Sequence, residues 1–559
     1  MKTLNSLFLS VIMMMVVSNL SGESPSGEVV YGTIYNGKEM ENRDFSILIK
    51  NEIVAIKQKR GDSKESLFID LENKETISLL TLDNGNQFLK KSTFDSLDKP
   101  ILSDETAVLL GYNCKKAVFD IRSNKIEVYY TEETPLAGSP SLSFGAGLGL
   151  VLKVIRNGNF ITYAKEIKSR QVSDTELGYN IENARVVDEQ TYYRKIIDSR
   201  YLTLPVFHHE SINFGRDINN PAGDQVNTTY RYSNGTVILK KLPAQNFDRP
   251  MMVFAELCTW SEGDAYDRTG SMFIIPVQKE KSFLDALKNG KEVLPVYKDS
   301  QGEEYQGMIA TEAYDPPLEL MRFFTPFGVR HFNKNVKIDG YVWEDSAKYK
   351  MDISDFAHLF NEEVWIGMFI GNYVKDGHGV NLDLHFYPGY NETKKEKWIQ
   401  PLFNTLNIME MSGQNYGKMF QKNDSLTVEF LVPEGVKHIT LRYNSTGHGG
   451  WGGGDEFNPK RNEIFIDGKM VFWYIPWRED CATYRFLNPA SGNFENGLSS
   501  SDLSRSAWCP GTVTQPMIVP LPDLKAGKHM IKIAIPMGEP EGGSFSHWAV
   551  SGVLLGEKE

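Results

Sequence analysis

Ala117-Val118-Phe119-Asp120-Ile121 and, three residues on, Lys125-Ile126-Glu127-Val128-Tyr129-Tyr130 alternate apolar with polar side chains. Successive side chains of a strand point to opposite faces, so this alternation predicts consecutive antiparallel strands with one buried face. Phe45-Ser46-Ile47-Leu48-Ile49 reads the same way. Short Val/Ile/Tyr/Phe runs separated by turn signals recur along the chain, which carries 47 glycines and 25 prolines. That pattern favours an all-β architecture. Helical periodicity is scarce. Lys281 to Gly290 is the expected short helix, started by Ser282 and closed by Gly290.

A chain of 559 residues exceeds a single core, and three domains of ordinary size are expected. Hydrophobic content of 41%, with 12% aromatic residues, supports well-packed globular domains. The formal net charge of −12 argues against nucleic acid or an anionic membrane as partner, because both call for a basic face. A neutral or glycan-bearing substrate fits better. Met1-Lys2 leads into an apolar run from Leu7 to Val17 and then small, polar residues to Gly22, which predicts an export signal over residues 1–22. The protein is then expected in the periplasm or secreted, without membrane insertion. Leu142 to Val154 is too short and glycine-rich to span a bilayer. Four cysteines in an exported chain predict disulfides, with three pairings open.

Two separated segments place carboxylates beside arginine or glycine: Asp264-Ala265-Tyr266-Asp267-Arg268 and Gly454-Asp455-Glu456-Phe457. Alone, the first reads as a solvated turn and the second as a flexible loop. Brought together they would form an acid/base site without a metal. The ten histidines are scattered, and the adjacent pair His208-His209 would point to opposite faces of a strand, so no metal site is expected. Ser143-Phe144-Gly145-Ala146-Gly147-Leu148-Gly149 reads as a turn, because no helix opening with Lys-Ser/Thr follows it. No cofactor is expected.

The second segment continues as Asn458-Pro459-Lys460-Arg461-Asn462-Glu463-Ile464-Phe465-Ile466-Asp467-Gly468, followed by Cys481-Ala482, Asn488-Pro489 and Ser504-Arg505-Ser506-Ala507-Trp508-Cys509-Pro510-Gly511. With Leu320-Met321-Arg322-Phe323-Phe324-Thr325-Pro326-Phe327, Met351 to Phe356 and Asn444-Ser445-Thr446-Gly447-His448, this order resembles the bacterial peptide:N-glycosidase F family. These are amidases that cut asparagine-linked glycans from glycoproteins. The resemblance runs from about Leu204 to the C-terminus and implies two eight-stranded antiparallel jelly rolls, over residues 204–391 and 398–559. Glu392 to Lys397 reads as a charged linker between them. Residues 23–200 would form the N-terminal bowl-like antiparallel β-domain of the longer type in this family, and Leu109 to Ala117 is similar to a motif of small secreted β-proteins of Bacteroidetes.

By position, the resemblance implies that Asp267 is the principal catalytic aspartate and Glu456 the second acid. Arg268 matches a substrate-contacting arginine, and Arg505 matches an arginine in the cleft loop, counted with the substrate-binding residues. Asp264, His448 and Trp508 complete the expected substrate-binding set, Asp264 chiefly by organising its turn. The resemblance pairs Cys481 with Cys509 and leaves Cys114 and Cys258 free. Phe457 stands where the family has tryptophan. The third glutamate of the family would fall near Ile370-Gly371-Asn372, where this chain has no acid, and a neighbouring tryptophan is missing too. Small residues there imply room for a core α1,3-fucose on the innermost sugar. The implied partner is an N-glycoprotein or N-glycopeptide, acted on by a monomer. The alternative is a secreted glycan-binding or adhesin protein that keeps the scaffold without the activity.

Overall fold

The computed structural model describes residues 25–558 apart from 59–63, 83, 248–249, 390–395, 450–453, 496 and 539–544. The expected export signal and most of the charged linker lie outside the described residues. Glu396 and Lys397 open a strand, Glu396–Asn404. The chain divides into two compact units, residues 1–199 and 200–559.

The first unit is one continuous sheet of thirteen strands. Hairpins follow one another from Phe45–Lys50 to Gln87–Thr93 and from Ile101–Leu109 to Phe160–Ser169. Ser26–Tyr35 pairs with both Phe45–Lys50 and Phe160–Ser169, joining the two series. The alternating segments Tyr112–Ile121 and Asn124–Thr131 are neighbours, with Phe119 opposite Ile126 and Ala117 opposite Val128. Arg122 and Ser123 both take positive φ, 46° and 64°, the geometry of a tight hairpin turn that matches strand twist. Ala117, Phe119, Ile126, Val128 and Tyr130 then share one buried cluster. A helix the alternation does not foretell, Glu189–Asp198, is capped by Asp188, whose side chain accepts from the Thr191 N–H, and it buries Tyr192 and Ile196 one turn apart.

The second unit holds two β-sandwiches. In the first, the sheet Leu202–Ile212, His378–Pro388, Met251–Ser261 and Ala347–Asp352 faces a sheet of five local strands with Leu318–Phe324 near its edge. Val513–Thr514, from the C-terminal half, adds to Leu318–Phe324 as a sixth strand. The second sandwich has two four-stranded sheets, one containing Val436–Gly449 and Ser546–Lys558, the other Asn462–Ile466. Inward residues of both sheets fill each core, as sandwich packing requires. Gly379 lies directly under Trp260, where a Cβ would sit 2.2 Å from the ring. The helix Phe283–Asn289 has the expected ends: Ser282 and Asp285 form a reciprocal capping box, and Gly290 terminates it at φ 99°, a conformation that suits glycine.

Candidate active site

The strand Met251–Ser261 runs into a loop whose shape is set by buried Asp264. Asp264 Oδ1 accepts from the Tyr266 N–H at 3.0 Å, and Arg268 Nε donates to Oδ2 at 2.8 Å. A carboxylate bonding its own backbone two residues on fixes a turn. Burial pushes the Asp264 carboxyl up, but His378, 3.5 Å away, and Arg268 outweigh it and hold the group at about 2. The turn presents Asp267 outward, with 15% of its side chain exposed. Loss of solvent pushes Asp267 up to about 6 against the pull of Arg505. Burial and charge displace two aspartates three residues apart in opposite directions, the separation that acid/base chemistry at one site uses.

The second sandwich supplies the opposing wall. Asp455 is buried under its turn, where the Trp548 Nε1–H donates to Oδ2 at 2.8 Å and the Asp455 N–H donates to Ser546 Oγ at 3.0 Å. The next residue, Glu456, is thereby turned toward Arg505, which it contacts through Oε1. Arg505 is fully buried, and its Nη1 also lies 3.2 Å from Asp267 Oδ2. Its Nη2 donates to Ser500 O at 2.8 Å, and its guanidinium rests over Trp508 and Phe457 at 4.5 and 4.9 Å. One cation thus bridges an acid from each sandwich. The Cys481–Cys509 disulfide closes the segment that carries Arg505, while Cys114 and Cys258 are free.

Asp267 lines two cavities of about 300 Å³ each. One is polar, with Arg268, Gly371, Tyr373, Asn407, Glu410 and His448. The other is apolar, with Tyr266, Phe327, Phe457 and Phe494 beside Glu456. A larger hollow of about 600 Å³, lined by Lys348, Trp477 and Tyr484, lies away from the bridged acids. A displaced carboxylate lining a cleft, held to a second acid by a shared arginine, is a better marker of chemistry than volume alone.

The sequence-assigned residues fall in different places. Asp267, Glu456 and Arg505 meet, and Arg268 stands in the polar cavity between the rings of Tyr266 and Tyr373, 5.0 and 5.2 Å from its guanidinium carbon. His448 lines the same cavity. Burial places three of these side chains away from a substrate. Asp264 is 0% exposed and spends its oxygens on the turn, so it has no surface for a substrate. Trp508 is 2% exposed, stacks on Phe324 at 4.0 Å and donates its Nε1–H to Gly447 O at 2.9 Å, forming the floor beneath Arg505. Arg505, itself 0% exposed, holds the acids instead of reaching outward. Asn372 opens no space either: it is buried, accepts from the Phe214 N–H and donates to Ile212 O. Gly371 does face the polar cavity.

Sequence reasoning did not find Glu410. It enters the polar cavity from the second sandwich, where the Tyr373 hydroxyl donates to Glu410 Oε1 at 2.6 Å across 37 residues of sequence. It therefore stands beside Gly371, where the acid expected from the strand Val364–Ile370 is absent. Asn407 and Asn415 line the same wall, each with its side-chain oxygen tied to a backbone N–H, of Tyr416 and Gly417 respectively, both at 2.8 Å. Among the described residues no cluster of three or more His, Cys, Asp or Glu is arranged to hold a metal ion.

Family models match three stretches of the chain: the N-terminal domain of peptide-N-glycosidase F over residues 203–386, its C-terminal domain over 415–555, and an N-glycanase N-terminal domain over 29–194. Two solved structures of PNGF-II, in C2 and P21 crystal forms, are similar to it at 41% and 42% identity. They align over 96% of this chain and 99% and 100% of theirs, with TM-scores of 0.81 and 0.80. No curated protein sequence matches the chain significantly. The chain belongs to the peptide-N-glycosidase F family, in the form that carries an additional N-terminal domain.

Proposed function

We propose that this protein is a peptide-N4-(N-acetyl-β-glucosaminyl)asparagine amidase that hydrolyses the side-chain amide of a glycosylated asparagine. The observation that carries the proposal is the bridge from Arg505 to Asp267 of one sandwich and Glu456 of the other. A side-chain amide is a poor electrophile with a poor leaving group, so its hydrolysis needs an activated water and a proton for the departing nitrogen. Glu456 positions the water, whose oxygen bonds to the amide carbon. Asp267 takes the proton that the attacking water sheds and passes it to the nitrogen as the C–N bond breaks. The peptide keeps aspartate, and the glycan leaves as a glycosylamine that then loses ammonia.

Arg268 offers a cation to substrate acceptors in the polar cavity, and Glu410, oriented by Tyr373, serves as the third carboxylate. Gly371 beside it leaves space on the cavity wall, which supports acceptance of a core α1,3-fucose. Residues 23–200 act as a separate domain that shapes substrate preference. The protein acts as a monomer, and export to the periplasm or the medium fits the leader expected over residues 1–22 and the Cys481–Cys509 bridge.

The test is to incubate the pure protein, with chelator present, on a denatured N-glycopeptide and weigh the peptide. A gain of about one mass unit at the former asparagine supports the amidase. Asp267→Asn should fold normally and lose at least roughly 10²-fold in rate. Glycopeptide left intact from acid to alkaline pH, but retained on the protein, would favour the glycan-binding alternative.

A further inference from the structure

Beneath the polar cavity a buried chain of hydrogen bonds crosses from one sandwich to the other. It begins at Glu319 and Arg322 on the strand Leu318–Phe324, both side chains fully buried. Arg322 Nε and Nη2 donate to the two Glu319 oxygens at 2.9 and 2.8 Å. Ser271 and Ser551 also donate to that carboxylate. Arg322 Nη1 reaches the second sandwich, donating to Ala549 O at 2.7 Å and to Thr446 Oγ1 at 3.0 Å. Thr446 Oγ1 lies 2.8 Å from His448 Nε2.

The direction of the last bond follows from proton counting. A guanidinium can only donate, so Thr446 accepts from Arg322 and keeps one hydroxyl proton to give. Among the described residues, its remaining partner is His448 Nε2. An Nε2–H donating to the second lone pair of Thr446 would leave that hydroxyl proton buried without an acceptor, so Nε2 accepts and the ring proton resides on Nδ1. His448 stacks on His547 with centroids 4.8 Å apart and on Trp508 at 5.9 Å, which fixes the plane of the ring. It lines the cavity that Asp267 also lines.

We propose that Glu319, Arg322 and Thr446 are positioning residues that hold His448 in its neutral Nδ1–H tautomer, so that Nδ1–H donates to the carbonyl oxygen of the scissile amide as that oxygen gains charge. Burial holds the imidazole well below its usual range, with His547 and Arg322 adding to the effect, so the donor stays uncharged at neutral pH. An oriented neutral donor in a site partly shielded from water stabilises a developing oxyanion without reorganising. No electrons or atoms pass along the chain; only the orientation of one N–H is set. The substrate oxygen in this inference rests on the amidase reading, whereas the tautomer does not.

The experiment uses the full chain labelled with ¹⁵N-histidine, with His448 assigned by subtraction of the His448→Gln spectrum. The expected spectrum shows a protonated Nδ1 and an unprotonated Nε2 on His448 from acid to alkaline pH. A neutral Nε2–H form in the parent protein overturns the proposal without need of any variant. Thr446→Val should mix the two tautomers and lower kcat by about 10²-fold, the scale for losing one oxyanion donor, with KM little changed. Thr446→Ser should restore both. A tautomer unmoved by Thr446→Val, or a serine variant that stays as slow as the valine variant, also overturns it. A parent protein with the assigned tautomer but no amidase activity would leave the positioning chain standing and overturn the donor role.

Discussion

Replacing Arg505 by methionine tests the central geometry directly. Arg505 Nη1 lies 3.2 Å from Asp267 Oδ2 and also contacts Glu456. At that separation and an effective dielectric of about 20, the Arg505–Asp267 attraction is about 5 kcal/mol, a ceiling of nearly four pH units. Water entering the vacated space recovers part of it, so a rise of about one to three units is expected, the range for losing an adjacent opposite charge. Desolvation already holds the Asp267 carboxyl up at about 6, and removing the cation moves it in the same direction. The sign is therefore upward: Asp267 should stay protonated to higher pH. The two acids, left without their shared cation, should titrate as a coupled pair. The assay is ¹³C NMR titration of the carboxyls, assigned with Asp267→Asn, alongside the pH profile of kcat/KM on a glycopeptide. Arg505→Lys should move the inflection less, because it keeps the charge but loses the fork that reaches both acids. An inflection that stays near 6 in the methionine variant, with the fold intact, would refute the reasoning.

Other residues give separate readings. Glu410→Gln should lower kcat/KM by roughly 10-fold or more, and Tyr373→Phe less, since the tyrosine only orients the acid; rates equal to the parent in both would remove Glu410 from the site. Gly371→Trp should slow release of an α1,3-fucosylated glycan more than of its unfucosylated counterpart, by refilling space on the cavity wall; equal slowing of the two substrates would show that the fucose does not pass there. Gly371 has ordinary φ, and an added Cβ would sit 3.2 Å from Phe369 Cζ, so that buried ring must give by a few tenths of an ångström to admit a side chain. Cys481→Ser should cost about 3.5 kcal/mol in urea unfolding, as expected for opening a loop with a sequence separation of 28; unchanged stability would show that Trp508 and its neighbours hold the loop unaided.

The strands were the most legible part of the sequence. Side chains alternate wherever one face meets a core, so Ala117 to Ile121 and Lys125 to Tyr130 announce a hairpin, whose first strand the structure begins earlier, at Tyr112, and whose second it extends by one residue at each end. The helix Phe283–Asn289 was equally plain, because Ser282, Asp285 and Gly290 write its ends locally. The helix Glu189–Asp198 has only Tyr192 and Ile196 buried, too sparse a stripe to stand out among charged neighbours. At the site, loops that carry Asp267 and Glu456 could be named from local motifs and family resemblance, and so could the Cys481–Cys509 pair. Burial could not. Nothing in Asp264-Ala265-Tyr266-Asp267 says which aspartate turns inward; that depends on His378, over a hundred residues away, and on Arg268. Glu410 was hidden for a similar reason: its partner Tyr373 belongs to the other sandwich, and a contact across two domains leaves no spacing to read.

That division of the site between sandwiches makes the seam part of the machinery. Asp267 and Glu456 have no covalent frame in common, and their spacing is whatever the packing of one sandwich on the other imposes. Val553 and Leu555 of the second sandwich lie in the core of the first, but apolar burial is non-directional and by itself does not fix a register. Directional contacts supply it. Val513–Thr514 pairs with Arg322 and Phe323 in the first sandwich's sheet, so the segment following Arg505 is tied to the strand that carries Arg322. Arg442 donates to Glu319 O and Leu320 O, both at 2.9 Å, from the second sandwich into that same strand. The Glu319–Arg322 pair is a poor source of stability, because desolvating two charges offsets most of their attraction. Both charges sit on one strand, so a slip along the seam would leave the pair itself intact but would strip it of its bonds to Thr446, Ala549 and Ser551 and leave those polar groups buried and unsatisfied. An error of about 1 Å at reacting groups can cost two orders of magnitude in rate, so a polar seam that resists sliding serves the two acids better than an apolar one of equal area.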